Sequence, residues 1–249
     1  MRKYFISILL HFGWLLLISN SLLAQNNSNH EILTSLKGAA TRFMKLPNIQ
    51  FDMTYRYANE EEPSIYLDSI KGSSRIWGNK YWYSIENTEV LCDSASMIIV
   101  FNEDKLIYLT NPTTNNSPFH SLALIDSLLL ERYPITCSIE KGKINTKYII
   151  EFLRPTAYKK LEYIIDNRIG LILMARQFIR SGNLYDKSIP SGLNPDNWVI
   201  VDLHYDNYRI DKLDPTFFDI NRYVLLKESG FIPAPAYSQY SVFDANPKL

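Results

Sequence analysis

The stretch Phe51-Asp52-Met53-Thr54-Tyr55-Arg56-Tyr57 alternates large apolar and polar side chains over seven positions. A strand turns successive side chains to opposite faces, so this period of two reads as a half-buried β-strand. Phe51, Met53, Tyr55 and Tyr57 share its apolar side. Just upstream the period changes. Ile32, Leu33, Leu36, Ala39, Ala40, Phe43 and Met44 fall on one helical stripe, and Pro47 stops it. Ser28-Asn29-His30-Glu31 has the S-x-x-E form of a capping box at its start. An amphipathic helix with one apolar face must lie on something.

Downstream, strand-like runs follow at short intervals: Ser69–Trp77, Lys80–Glu86, Glu89–Cys92, Met97–Phe101 and Leu106–Thr110. Turn residues at Gly78-Asn79 and Asn102 to Lys105 separate them, the spacing of an antiparallel meander. Pro118 opens a second helix, Phe119 to Arg132, which carries Leu122, Ile125, Leu128 and Leu129 and ends before Pro134. Strands resume at Thr136–Glu140, Tyr148–Leu153, Lys160–Asp166, Leu171–Arg180 and Trp198–Tyr208. The remainder, from about Asp214 to Leu249, is less regular, with an extended Pro233-Ala234-Pro235 and an edge strand at Tyr240 to Phe243. No repeat or composition shift marks a boundary. The expected fold is α+β, mostly β: one domain of about ten antiparallel strands and two helices.

The first residues have the form of an export signal. Arg2 and Lys3 precede an apolar run from Tyr4 to Leu17, and a small-residue stretch ends at Leu22-Leu23-Ala24. The run is broken by His11 and Gly13 and is short for a ~30 Å hydrocarbon core. Residues 1–24 are therefore expected to be a cleaved signal peptide, leaving a soluble periplasmic or secreted protein of residues 25–249. No later segment approaches ~20 apolar residues. With 26 basic and 26 acidic residues in all, no positive field exists to gather nucleic acid.

Cys92 and Cys137 are the only cysteines and sit in strand-like surroundings. Two buried thiols and one disulfide both fit, since spacing does not fix geometry. No G-x-S-x-G, H-E-x-x-H, phosphate-binding glycine loop or CxxC pair occurs. Asp202, His204 and Asp206 fall on one side of a strand. They read as a solvent-facing polar stripe opposite Val199, Val201, Leu203 and Tyr205, in preference to a metal or acid–base cluster. No catalytic residue, metal site or cofactor is expected.

The order helix, meander, helix, meander resembles the periplasmic lipoprotein carriers of the LolA family and their LolB receptor partners. The likeness is strongest from His30 to Pro112, where Phe51-Asp52-Met53-Thr54-Tyr55, Gly72, Tyr81-Trp82-Tyr83 and Val90-Leu91-Cys92-Asp93 follow the order of that family's early strands. Two positions depart. Asp93 is followed by Ser94 rather than glycine, and Gly78-Asn79 stands where carriers place an Arg-Pro tied to cargo transfer. The receptor's lipid anchor has no counterpart cysteine here. The resemblance implies an antiparallel half-barrel over residues 25–249, its concave face covered by the two helices, with a C-terminal extension from about 214.

On that frame the candidate binding residues are Phe51, Met53, Tyr55, Tyr57, Tyr81, Tyr83, Ile85, Met97, Ile99 and Phe101, the apolar side of successive strands. They imply a carrier or binder of lipid or lipidated protein. The alternative is a protein-interaction module of a cell-envelope or secretion assembly, with a filled core and the aromatic strands and tail docked on a protein partner. Fold alone does not choose between them.

Overall fold

The computed structural model describes residues 29–43, 45–112, 133–154, 157–183, 197–228 and 230–245. The expected leader, Ser28 of the capping box and the second helix at Phe119–Arg132 lie outside the described residues. Helix α1 spans 29–43, and the apolar stripe is what it buries: Ile32, Leu36, Ala39 and Phe43. These four pack onto Ile49, Phe51, Met53, Leu161, Tyr163, Leu203 and Tyr205 in the larger of the two main cores.

Every strand run read from the alternation is present. The strands are β1 (Asn48–Asn59), β2 (Tyr66–Trp77), β3 (Lys80–Ile85), β4 (Thr88–Cys92), β5 (Met97–Phe101) and β6 (Leu106–Thr110). The second group is β7 (Ile135–Lys141), β8 (Asn145–Phe152), β9 (Tyr158–Asp166), β10 (Ile172–Arg180) and β11 (Trp198–Arg209). Three short strands follow: β12 (Val224–Lys227), β13 (Gly230–Pro233) and β14 (Ser241–Asp244). Twelve of them form one open sheet in the order β14-β6-β5-β4-β3-β2-β1-β11-β10-β9-β8-β7. Two meanders thus meet where β1 pairs antiparallel with β11, placing Met53 opposite Tyr205 and Tyr55 opposite Leu203.

Two expectations need correction. The sheet has twelve strands rather than about ten, and it is mixed, because β14 joins β6 in parallel with Ser241 opposite Leu106. Hairpin turns announce antiparallel neighbours. A strand that returns from a distant segment carries no such local mark.

The C-terminal segment belongs to the fold. Its 3₁₀ turns at Pro215–Phe218 and Ile220–Arg222, with the β12–β13 hairpin, bring Phe218, Tyr223 and Val224 onto Leu91, Ile98, Val100, Ile107 and Leu109. This second core lies on the sheet face opposite α1. The two sheet edges are also tended. β14 occupies the outer side of β6, and at the other end the Asn29 side chain donates to Ile135 O (3.2 Å) and accepts from Cys137 N (3.0 Å). That amide stands in for part of a neighbouring strand on β7.

Gly72 sits on β2 between Met53 and Ile85. A Cβ there would lie 2.6 Å from Ser84 O, a backbone atom, and 2.9 Å from Ile85 Cγ1. The missing side chain lets Ile85 lean across the strand. Gly72→Ala is expected to lose roughly 1–3 kcal/mol in urea unfolding, because backbone must move to admit one methyl. An unchanged midpoint would show that the sheet yields freely at this point.

Candidate binding face

Strand pairing fixes which residues share a face, since directly opposed residues point the same way. Phe51 is opposite Ser74, Ser74 opposite Tyr83, Tyr83 opposite Val90, and Val90 opposite Ile99. The neighbouring row runs Met53, Gly72, Ile85, Thr88, Phe101. Tyr81 pairs with Cys92 and Cys92 with Met97. All ten residues chosen from the sequence therefore point to one face, the face that carries α1.

They divide into two groups. Phe51 and Met53 are sealed beneath the helix, Phe51 meeting Phe43 edge-on with ring centres 5.5 Å apart. Tyr55 is half-buried at the margin of that core. Further across, Tyr81, Tyr83 and Ile99 pack against Val90, Cys92 and Met97, a cluster that among the described residues is built from the sheet alone. Tyr57, Ile85 and Phe101 stay half-buried. The Tyr81 and Tyr83 rings stack 6.3 Å apart. Burial, with the nearby Tyr57 and Tyr83 phenols, pushes the Tyr55 hydroxyl up to about 12. Burial likewise raises Tyr81 and Tyr83. These phenols remain neutral donors at physiological pH.

Among the described residues, one polar group on this side has no partner. Tyr163, 1% exposed and opposite Tyr148 and Ala175, keeps its hydroxyl buried without a hydrogen bond. An unmade bond of that kind costs about 1–3 kcal/mol. Period-2 reading places Tyr163 in a strand but gives no signal for an orphaned hydroxyl.

The opposite face carries charged side chains across β1, β11, β10, β9 and β8. Asp202 was expected in a solvent-facing stripe, yet it is fully buried and takes two hydrogen bonds from Arg176, at 2.6 and 2.7 Å. Its neighbours across the strands are Arg56 and Arg176, so at Asp202 the polar side of β11 meets cations rather than water. Glu162, opposite Arg176, is held by Lys160 at 2.6 Å and Lys147 at 3.2 Å. Burial alone would raise its carboxyl, and the two lysine contacts outweigh that and lower it. His204 is shifted down, chiefly by burial, and its Nε2 has no hydrogen bond. Asp206 is exposed. The three residues read together on β11 thus have three separate environments. Among the described residues, no group of three or more His, Cys, Asp or Glu could hold a metal ion.

The cysteines are free thiols: Cys92 lies on β4 and Cys137 on the edge strand β7, eight places apart in the sheet order. Burial raises both, Cys137 to about 11. Among the described residues, no helix is long and apolar enough to cross a membrane.

No protein-family model and no curated protein matches the chain. Its structure is similar to a LolA superfamily protein from Nitrosomonas europaea at 13% identity and TM-score 0.32, covering 77% of this chain and 97% of that one. An uncharacterized conserved protein from Thermus thermophilus is similar at 8% identity and TM-score 0.45, covering 86% and 98%. So is a chain of the Pseudomonas aeruginosa MucA/MucB complex, at 8% identity and TM-score 0.36, covering 76% of this chain and 60% of that one. The likeness is one of fold, at identities and TM-scores that assign no activity.

Two measurements check this description. With its thiol buried, Cys92 should stay unreactive to a thiol-specific dye at pH 7–8, half-buried Cys137 with its raised thiol should react slowly, and both should react fully in denaturant. Rapid labelling of the native protein would contradict the burial. Asp202→Ala, which takes the buried carboxylate away from Arg176 and leaves that guanidinium beside Arg56's strand position, should cost about 3–5 kcal/mol in chemical unfolding. A loss below about 1 kcal/mol would mean water enters the site.

Proposed function

We propose that this chain is an exported, non-catalytic binding protein that takes up lipid or lipidated protein on its α1 face in the periplasm. One observation carries the reading: apolar and aromatic residues of β1, β3 and β5 form a single face, and α1 packs on only part of it. Tyr81, Tyr83 and Ile99 stand half-buried over the buried Val90, Cys92 and Met97, and none of the described α1 residues joins that cluster. Each methylene buried there is worth roughly 0.8 kcal/mol, enough for a few carbons to give useful affinity. The leader-like residues 1–24 and the order of the early strands support the compartment.

Tyrosine hydroxyls shape the choice of ligand. Tyr55, Tyr57, Tyr81 and Tyr83 would each lose hydrogen bonds to water against a bare alkyl chain. An amphiphile whose ester or amide oxygens meet those phenols suits the wall better than a free hydrocarbon. The same hydroxyls favour a second reading, a docking module for an envelope or secretion protein with no lipid cavity. Aromatic-rich surfaces with polar tips serve such interfaces well.

Native mass spectrometry of residues 25–249, purified after export, separates the two. A co-purifying mass lost on denaturation and identified as a lipid or acylated peptide is the expected result. Ile99→Glu should reduce uptake of a fluorescent fatty acid at least tenfold while leaving the thermal midpoint within a few degrees. A bare monomer that takes up no fatty acid overturns the lipid reading and leaves the docking module.

A further inference from the structure

The face opposite α1 gathers three arginines, none of which is closed into an ion pair by a carboxylate among the described residues. Arg75 stands on β2 across from Gln50 and Trp82. Arg209, the last residue of β11, also lies across from Gln50. Arg222 arrives from the C-terminal 3₁₀ turn and donates to Phe217 O. The Phe217 ring centre is 3.9 Å from Arg75 Cζ and 4.2 Å from Arg222 Cζ, and Arg75 Cζ is also 5.3 Å from the Trp82 ring centre. Stacking of this kind orients a guanidinium but leaves its in-plane N–H donors free.

Among the described residues, none of the three arginines makes an ion pair. The carboxylates on the same face are already engaged by neutral donors. Asp52 accepts from Ser73 Oγ at 2.7 Å and Asn207 Nδ2 at 2.8 Å. Glu89 accepts from the Tyr223 hydroxyl at 3.1 Å and Trp82 Nε1 at 3.4 Å. Arg75 feels the consequence: burial, then repulsion from Arg222 and Arg209, disfavours its charged form. Folding keeps these three like charges close together with the single carboxylate of Asp52 near Arg209 and Arg75, and a bound anion would relieve the repulsion that remains.

An open cleft of about 570 Å³ meets this cluster at Asp52 and Trp82; Lys71, Ser73, Glu86, Asp206 and Asn207 also line it, and none of the three arginines does. Its walls are largely polar. They suit hydroxyl groups better than an acyl chain, because the carboxylates and amide can pair with O–H donors.

We propose that Arg75, Arg209 and Arg222 form an anion site for the phosphate group of a polar phosphate ester, whose alcohol part lies in the adjoining cleft. Arginine matches a tetrahedral phosphate through paired N–H donors, and three of them from separate elements can converge on its oxygens. The ester comes either from a soluble molecule or from a phospholipid headgroup, and the experiment distinguishes them.

The test uses the exported protein at low ionic strength. Inorganic phosphate and glycerol 3-phosphate are titrated by calorimetry, and vesicles of phosphatidylglycerol or phosphatidylcholine are tested by co-sedimentation. Arg209→Gln/Arg222→Gln is expected to weaken binding at least tenfold, whereas Lys141→Gln/Lys143→Gln, an equal charge change elsewhere, leaves it unchanged. Among the described residues, the side chain of exposed Arg209 has no hydrogen bond or ring contact and interacts with Asp52 only through charge, so Arg209→Gln alone reads the site if the double variant fails to fold. Binding of glycerol 3-phosphate that the variants lose assigns a soluble ester. Sensitivity confined to phosphatidylglycerol vesicles assigns a headgroup. No binding by any probe, equal loss in the lysine variant, or equal binding of both vesicle types overturns the proposal.

Discussion

The pairing of β1 with β11 holds the molecule together. Each is the terminal strand of its own meander, and the bonds between them turn two curtains of strands into one sheet. α1 lies across this seam, touching Ile49, Phe51 and Met53 on one side and Leu203 and Tyr205 on the other. The helix therefore does two things at once. It buries its own apolar stripe, and it clamps the place where long-range pairing could otherwise slip. A slip by one residue would exchange the two faces of the sheet, sending Asp202 under the helix and Leu203 away from it.

Much of this was readable in the chain because period-2 alternation is local. The strands from β1 to β11 fall within a few residues of the runs of alternating or continuous apolar sequence. Tight turns such as Gly78-Asn79 then carry the face assignment from one strand to the next. That is why ten residues picked from separate runs point the same way. The helix was equally legible, its stripe from Ile32 to Phe43 being the one that is buried. What escaped was everything set by distant partners. No local pattern distinguishes a β11 that meets β1 from one that ends a sheet. β12 and β13 are four residues each, too short for alternation to register. Asp202 looked exposed because its strand alternates, and only the arrival of Arg176 from β10 makes burial tolerable. The arginine cluster was invisible for the same reason, since Phe217 and Arg222 reach Arg75 from the far end of the chain.

The two faces of the sheet are used differently. One buries apolar side chains under a helix and continues as an aromatic surface. The other alternates buried ion pairs with stacked rings and arginines, and it is covered toward β4–β6 by the C-terminal segment. A single layer of strands can thus hold two unlike environments back to back, because side-chain direction reverses at every residue. Chemistry on one side need not disturb packing on the other. The exception is Gly72, where the absence of a side chain lets neighbouring strands share space.

The edge strand β14 has a consequence in time. It is laid down from nearly the last described residues, and β1, near the first, waits for β11; Asn207 reaches back to Asp52 over 155 positions. Such distant contacts form slowly, since the intervening chain must be brought together before any bond rewards it. A polypeptide emerging from its amino end has no way to complete this architecture halfway. Each meander can pair locally as it emerges, but the seam waits for β11 and the outer edge of β6 for β14.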